Sequence, residues 1–333
     1  SAGIGLIENW NVNTFPVDFA RDNLTLRGQV FAAAQNFRPF PHFGNVMMRS
    51  NFGHSTFHSG TAKLERRFAD GMFFSTFYTF SKAINSQDTD NAGSGVAPIQ
   101  NRSLEKGRAG YDRNHRWIST INWELPFGKG KKFAVGNRAV NWMMSGLEVS
   151  WIQTFESGNP LNFTFANSPY QYYPGFAGNR RPDVVSTPVI RDGWRDIGGD
   201  RFNVQNTNAV LDMNHFALPG GCPQTLPAAG TQARTDLINQ CSFLVGNAGR
   251  NIMTGLPLVW SQVSAQKNFQ IREKVRAQIR WDFQNALKTY NFNPPTTAVD
   301  FQNPRTFGKV SSDPRTASLG GQPLMNLTVL LQF

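Results

Sequence analysis

The sequence predicts an all-β chain, an antiparallel β-barrel that crosses a membrane. Three observations predict it. Several stretches alternate apolar and polar residues with period two, and no run of 18 or more apolar residues offers a transmembrane helix. The connections between these stretches alternate short and long, as in a barrel with tight turns on one side of a bilayer and long loops on the other. Only 17 % of the 333 residues are charged, while 13 % are aromatic, including 28 Phe and 8 Trp, which suits a surface facing something other than water.

The strongest alternation lies in Val263–Phe283. Val275, Ala277, Ile279, Trp281 and Phe283 share one face, and Arg276, Gln278, Arg280 and Asp282 share the other. The preceding arm places Val263, Ala265 and Phe269 on its apolar face, with Lys267 as an exception. Arg272-Glu273-Lys274 makes the turn. By itself this hairpin also fits a soluble sandwich.

In chain order, residues 1–8 read as the end of a strand, and 9–54 show no sustained period. Ser59–Phe68 alternates, with Gly60, Ala62, Leu64 and Phe68 opposite Lys63, Glu65 and Arg67. Arg66 interrupts the apolar face near its end, where a long side chain snorkels to an interface. Ala69-Asp70-Gly71 supplies a tight turn. Met72, Phe74, Tyr78 and Phe80 form the return strand, although Phe73 and Phe77 weaken its polar side.

A strand over Arg113–Leu125 follows the loop 84–112, and a basic turn runs from Phe127 to about Val140. Leu147, Val149, Trp151 and Phe155 mark the next strand. Residues 157–257 then lack periodicity for a length implausible inside a compact soluble domain. After the hairpin and the loop 288–322, Met325, Leu327, Val329, Leu331 and Phe333 close the chain on one face. About eight strands result, with long loops at 9–54, 84–112, 157–257 and 288–322 in a single barrel segment. Phe68, Phe80, Trp117, Trp151 and Phe333 are the candidates for interfacial aromatic girdles.

Lys plus Arg exceeds Asp plus Glu by 33 to 22, a net charge of +11. The basic residues are dispersed and no recognition-helix pattern accompanies them, so nucleic acid is not an expected partner. Ser1-Ala2-Gly3 has neither an initiator Met nor a basic leader, which predicts a fragment or a processed product. Cys222 and Cys241 lie in one polar segment, and an even pair there predicts a disulfide formed in an oxidising compartment.

Several stretches together resemble a known family. They include Arg38-Pro39-Phe40-Pro41-His42-Phe43-Gly44, Leu64-Glu65-Arg66-Arg67-Phe68, Tyr78-Thr79-Phe80-Ser81-Lys82 and Asp112-Arg113-Asn114-His115-Arg116. Further along come Glu124-Leu125-Pro126-Phe127-Gly128-Lys129-Gly130, Ser157-Gly158-Asn159-Pro160, Asn179-Arg180-Arg181-Pro182-Asp183, Gly246-Asn247-Ala248-Gly249-Arg250-Asn251 and the terminal Phe333. In this order they resemble the C-terminal barrel of TonB-dependent outer-membrane receptors, of the large Oar-like type found in Acidobacteria. The resemblance implies a 22-stranded barrel in the bacterial outer membrane, with periplasmic turns and loops facing the exterior. It implies import of a scarce nutrient, driven by the TonB complex through a plug. The expected partners are outer-membrane lipid, the remaining barrel strands and plug, and the TonB complex. Phe333 would serve as the barrel-assembly signal, and it would also be the last membrane-facing side chain.

Catalytic constellations are not evident. His42, His54, His58, His115 and His215 make no zincin pattern, and neither a Walker nor a dinucleotide-binding glycine motif occurs. No enzyme activity and no cofactor are expected. Asp88-Thr89-Asp90-Asn91-Ala92-Gly93 opens like a calcium loop, which makes a loop cation near Asp88 and Asp90 the alternative, but Ile99 occupies the twelfth position. His115 reads as a structural lumen or rim residue. The functional hint is the set Lys63, Arg67, Arg116, Arg276 and Arg280, which would line the interior and attract an anionic ligand or a chelated metal. Pairing with Glu65, Glu124, Glu148 and Asp282, or a grip on an acidic plug, is the stronger explanation of them. Two alternatives to transport stand beside it: a processed piece that assembles through its strand edges or loops as a fibre or adhesin, and a self-closed eight-stranded barrel.

Overall fold

Seven long strands pair in one antiparallel sheet: β3 (Ser55–Ala69), β4 (Met72–Asn85), β5 (His115–Glu124), β6 (Leu147–Glu156), β7 (Leu258–Arg272), β8 (Val275–Gln284) and β9 (Leu324–Gln332). They follow β1 (Leu6–Asn11) and β2 (Met47–Gly53) in the chain. This computed structural model describes residues 6–14, 34–88, 99–128, 131–133, 137–165, 167–170, 181–192, 209–242, 244–272, 275–289, 291–310 and 324–332. Each strand of the sheet lies beside its sequence neighbour, in the meander expected for a barrel wall. β3 and β7 have 15 residues each and β4 has 14, more than the 9–11 that a tilted strand needs to cross a bilayer.

The register confirms the two faces read from the alternation. Phe74, Ile121, Trp151, Val263, Phe283 and Met325 lie side by side across β4 to β9. Among the described residues nothing covers this face toward the chain's end, where Leu327, Val329 and Leu331 are 59 %, 60 % and 57 % exposed. Trp151 therefore sits within the apolar band and not at a strand end, as the girdle reading had placed it. The aromatic row nearest the long loops is Tyr78, Trp117 and Phe155 instead.

Residues 9–54 are not one loop. β1 runs to Asn11, and β2 pairs with it antiparallel, with only His54 between β2 and β3. The sequence of β2, MMRSNFG, carries no alternation, so its pairing with β1 is set by register and not by pattern. Among the described residues β3 and β9 form the open edges of the sheet and do not pair with each other, so a self-closed eight-stranded barrel is not the arrangement seen.

At the short-turn end, Asp70 (φ 52°) and Gly71 (φ 78°) make the tight β3–β4 turn, using the left-handed conformations that Asp-Gly was expected to supply. The two charged groups on the apolar face both find polar partners here. Arg66 folds back onto Asp70 at 3.1 Å. Lys267 is 5 % exposed, and its ammonium donates to the carbonyls of Trp142 (2.9 Å) and Ser145. Those carbonyls end α1 (Arg138–Met144), a helix of seven residues inside the connection expected as a plain basic turn. Seven residues are too few to show a helical period, and Asn137, whose side chain caps the Ala139 and Val140 amides, is its one local signal. Replacing Lys267 with Met is expected to loosen α1 from the sheet. Hydrogen exchange at the Ser145 amide, which donates to the Asn141 carbonyl, should rise at least tenfold, with little change in β7.

The long connections build a core of their own. Phe163, Val210 and Val299 are fully buried, and the Phe163 ring meets Phe216 at 4.5 Å and Phe307 at 6.3 Å. Leu161, Leu211, Leu218, Met253 and Leu256 complete the cluster. Short ladders hold it: Pro160–Leu161 with Met253–Thr254, Asp183–Val184 with Phe216–Ala217, and Thr164–Phe165 parallel to Ala298–Val299. The loop 157–257 thus folds together with the loop after β8. Gly158 permits the closest approach, because a Cβ there would lie 2.1 Å from the Gly255 carbonyl oxygen.

Cys222 and Cys241 are joined, tying the end of α2 (Gln232–Cys241) to a turn 19 residues earlier. Closing a loop of that length stabilises a fold by about 3 kcal/mol in the chain-entropy picture. Reduction is therefore expected to raise proteolysis within 222–241 before it affects the sheet, as limited digestion with and without reductant would show.

Candidate functional site

The polar face of the sheet carries all five cations singled out from the sequence, but it does not gather them. Lys63 on β3 and Arg280 on β8 are separated by β4 to β7, roughly 24 Å at about 4.8 Å per strand. Arg116 lies at the long-loop end of β5, while Arg276 lies at the short-turn end of β8, opposite Gln270 and Gln332. Arg67 falls in a bulge, where the β3–β4 register shifts between Arg66 and Ala69.

Carboxylates on the same face answer most of these charges. Lys63 pairs with Glu65, Arg116 with Glu156 at 2.9 Å, and Arg280 with Asp282 at 2.8 Å. Glu124 pairs with Lys131 at 3.0 Å, and Glu148 accepts from the Gln266 amide. On this face charge is locally balanced around Lys63, Arg116 and Arg280. Within it Asn122, Ser150, Gln262, Ser264, Arg280, Asp282 and Asn326 line a groove of about 470 Å³. Ser264 donates to Asp282 at 2.5 Å, and Arg280 reaches both Asp282 and the Ser264 hydroxyl, the latter at 3.3 Å. Amides and hydroxyls that both donate and accept, with one paired cation, suit a neutral polar solute or ordered water. No imidazole lines the groove to activate Ser264.

The densest polar assembly lies at the long-loop end. Arg181 is 4 % exposed and pairs with buried Glu105 at 2.9 Å, and it also donates to the Leu104 carbonyl at 2.6 Å. Burial pulls the Arg181 guanidinium below its ordinary range, and Glu105 opposes that shift. Arg250 binds Asp88 at 2.6 Å and the carbonyls of Asn85 and Glu105. Arg108 joins Asp112, Asn114 and Thr254. Asp183 accepts from the Asn247 and Gly220 amides, at 2.8 and 2.7 Å. The sequence separates these residues by up to 165 positions, yet they form one clamp between the β4–β5 loop and the large loop core.

This assembly explains three of the quoted motifs, the stretches around Asp112, Arg181 and Arg250. They supply structural charges that hold the loops together. Asp88 has the Gly110 amide and Arg250 on its carboxylate, which compete with a cation, and among the described residues no three His, Cys, Asp or Glu side chains converge on a metal position. Asp90 lies outside the described residues, as does Phe333. His115 stands at the rim on the apolar side, its Nδ1 2.6 Å from the Tyr78 hydroxyl and its ring against Phe80.

Residues 1–318 match the family described as outer membrane beta barrel domain. The chain belongs to that family. Comparisons with curated proteins and with solved structures gave no match. In an outer-membrane β-barrel the apolar face meets lipid and the polar face meets the interior. The apolar band of this barrel domain satisfies its own polar atoms accordingly. Trp117 Nε1 donates to Thr76 at 2.7 Å, and Trp151 Nε1 donates to Ser261 at 3.0 Å. In hydrocarbon, where water offers no alternative partner, each unmade bond would cost several kcal/mol.

Proposed function

We propose that this barrel domain is the wall and loop portion of a TonB-dependent outer-membrane transporter, with the long loops outside the cell and the short turns in the periplasm. The observation that carries the reading is the folded loop core at one end of an outer-membrane wall, opposite turns as tight as Asp70-Gly71. A rigid loop body over a polar interior presents a fixed surface to solutes arriving from outside. In this reading the chain performs no covalent chemistry. The groove around Arg280 and Asp282 lines the path, and Lys63, Arg67, Arg116, Arg276 and Arg280 hold the plug or an anionic solute along it. The open edges at β3 and β9 pair with the remaining strands of the barrel, since unpaired strand edges are not tolerated in lipid.

Two measurements test this. Val189 is 56 % exposed in the large loop. A Val189→Cys variant is expected to react with a membrane-impermeant maleimide on intact cells, and protection until the outer membrane is opened would reverse the orientation. The native protein extracted from outer membranes is expected to bind the purified periplasmic domain of TonB. Failure of the folded, heat-modifiable protein to bind it would remove energy-coupled import. The assembly reading would then take over, and copies joined through β3 and β9 would have to appear as high-mass species.

A further inference from the structure

We infer that the cleft at the seam between the wall and the loop core binds a small carboxylate whose apolar body is the size of a benzene ring. This names a solute class for the transporter proposed above and rests on that reading for the ligand's use, while binding itself is tested without TonB.

The cleft, of about 200 Å³, forms where the start of β5, the end of β6, the start of β7 and the segment after β8 meet. Arg116, Glu156 and Leu258 stand side by side there, at the long-loop end of the polar face. Its walls are held from two sides. The Gly255 amide donates to the Asn159 carbonyl at 2.8 Å, which fixes the end of β6 against the approach to β7. Asn291 is 3 % exposed, and its side chain accepts from the Val259 amide at 3.0 Å and donates to the Val259 carbonyl at 2.9 Å. That pair of bonds keeps the neighbouring Phe292 and Pro294 beside the head of β7. Leu161 and Leu256, both part of the loop core, add apolar lining. An apolar cavity of about 150 Å³ is enough to hold benzene, so this cleft has room for such a ring and a carboxylate.

Arg113 and Ser157 line the same cleft and supply the donors for the anionic head. Other guanidiniums at this end of the wall are committed. Arg116 holds Glu156 at 2.9 Å, Arg108 reaches Thr254 at 2.7 Å, and Arg181 and Arg250 each make a bond of 2.6 Å. Arg113 differs: its polar contacts among the described residues are 3.4 Å to the Asp112 carbonyl and 3.7 Å to Glu156, whose charge Arg116 already answers. Yet its side chain is only 32 % exposed, and burial pulls the guanidinium below its ordinary range, with Glu156 and Asp112 opposing that shift. A partly desolvated cation with donors to spare is stabilised by a group that brings two acceptor oxygens. The Ser157 hydroxyl oxygen accepts from the His115 amide at 3.2 Å, which leaves its proton to donate.

The native protein, purified in detergent, is titrated with para-fluorobenzoate and followed by fluorine NMR. Saturable binding is expected. The neutral para-fluorobenzamide, which keeps the ring and loses the charge, should bind about tenfold more weakly. Arg113→Gln should weaken benzoate binding by a similar factor, about tenfold, and leave the benzamide where it was. Pro294 is exposed, and Pro294→Trp should obstruct the cleft for both probes without removing a charge. Unchanged hydrogen exchange at the Val210 amide shows that the loop core of each variant is folded. Inorganic phosphate, which has no apolar body, should displace the benzoate poorly. Equal affinity for the charged and neutral rings would overturn the inference, as would the absence of saturable binding. So would benzoate binding that survives Arg113→Gln or Pro294→Trp unaltered. Phosphate that competes as well as unlabelled benzoate would reduce the cleft to a simple anion site and sink the carboxylate assignment. TonB binding and labelling at Val189 decide the transport reading apart from all of these outcomes.

Discussion

An Arg181→Met variant is expected to lose about 3–5 kcal/mol from the loop core, because it leaves a buried carboxylate without its guanidinium. Arg181 and Glu105 are 4 % and 5 % exposed at the side chain, so solvent does not screen the loss. The guanidinium also bridges segments 77 residues apart through the Leu104 carbonyl. The reporter is the Val210 amide, which donates to the Gly308 carbonyl at 2.8 Å inside the loop core. Its hydrogen exchange should quicken by at least a hundredfold, while the β4–β5 ladder remains protected. A second variant separates charge from packing. Glu105→Gln with Arg181→Met removes both ions, and most of the lost protection should return. If the double variant is as exposed as the single one, the pair's role is geometric and the electrostatic account fails.

Phe163→Ala is the other large effect. Phe163 is fully buried and its ring touches two others, so truncation loses the transfer energy of the ring and leaves a cavity that the short ladders around it cannot close. Such truncations cost about 3–5 kcal/mol. Near-ultraviolet dichroism of the native protein in detergent should show early melting of the loops, with the far-ultraviolet strand signal retained to its usual temperature. Phe163→Leu keeps most of the volume and should cost less than half as much. Simultaneous loss of both signals in Phe163→Ala would mean that the loop core and the wall are one cooperative unit.

The wall was legible in the sequence because strand periodicity is local. Alternation over Val275–Phe283 fixes which residues share a face, and the structure keeps that assignment across β4 to β9, except at the register shift between Gln270 and Arg272. The turn at Asp70-Gly71 and the Cys222–Cys241 bridge were equally legible, each from one residue type in one context. The partner of Arg66 was not legible: side-chain length suggested a reach to an interface, whereas the structure pairs it with Asp70 in the turn. β2 was not legible, since its partner β1 lies across a long stretch and its own pattern is flat. Nor was α1, which exists because β7 offers Lys267 a place to end a helix.

The candidate site divides in the same way. Residue type and parity alone put Lys63, Arg116, Arg276 and Arg280 on the interior face. Only the three-dimensional arrangement separates them, pairs Arg116 with Glu156, and places Arg280 in a groove with Asp282 and Ser264. The clamp of Arg181, Glu105, Arg250 and Asp88 was invisible for the same physical reason. Loops have no repeat from which to read proximity, and their contacts close distances of many tens of residues. The sequence by itself determined the faces of the wall. Which loop charges meet, which edges stay open and what lies against the lipid were decided by packing, because those contacts depend on strand order and loop closure, not on neighbours along the chain.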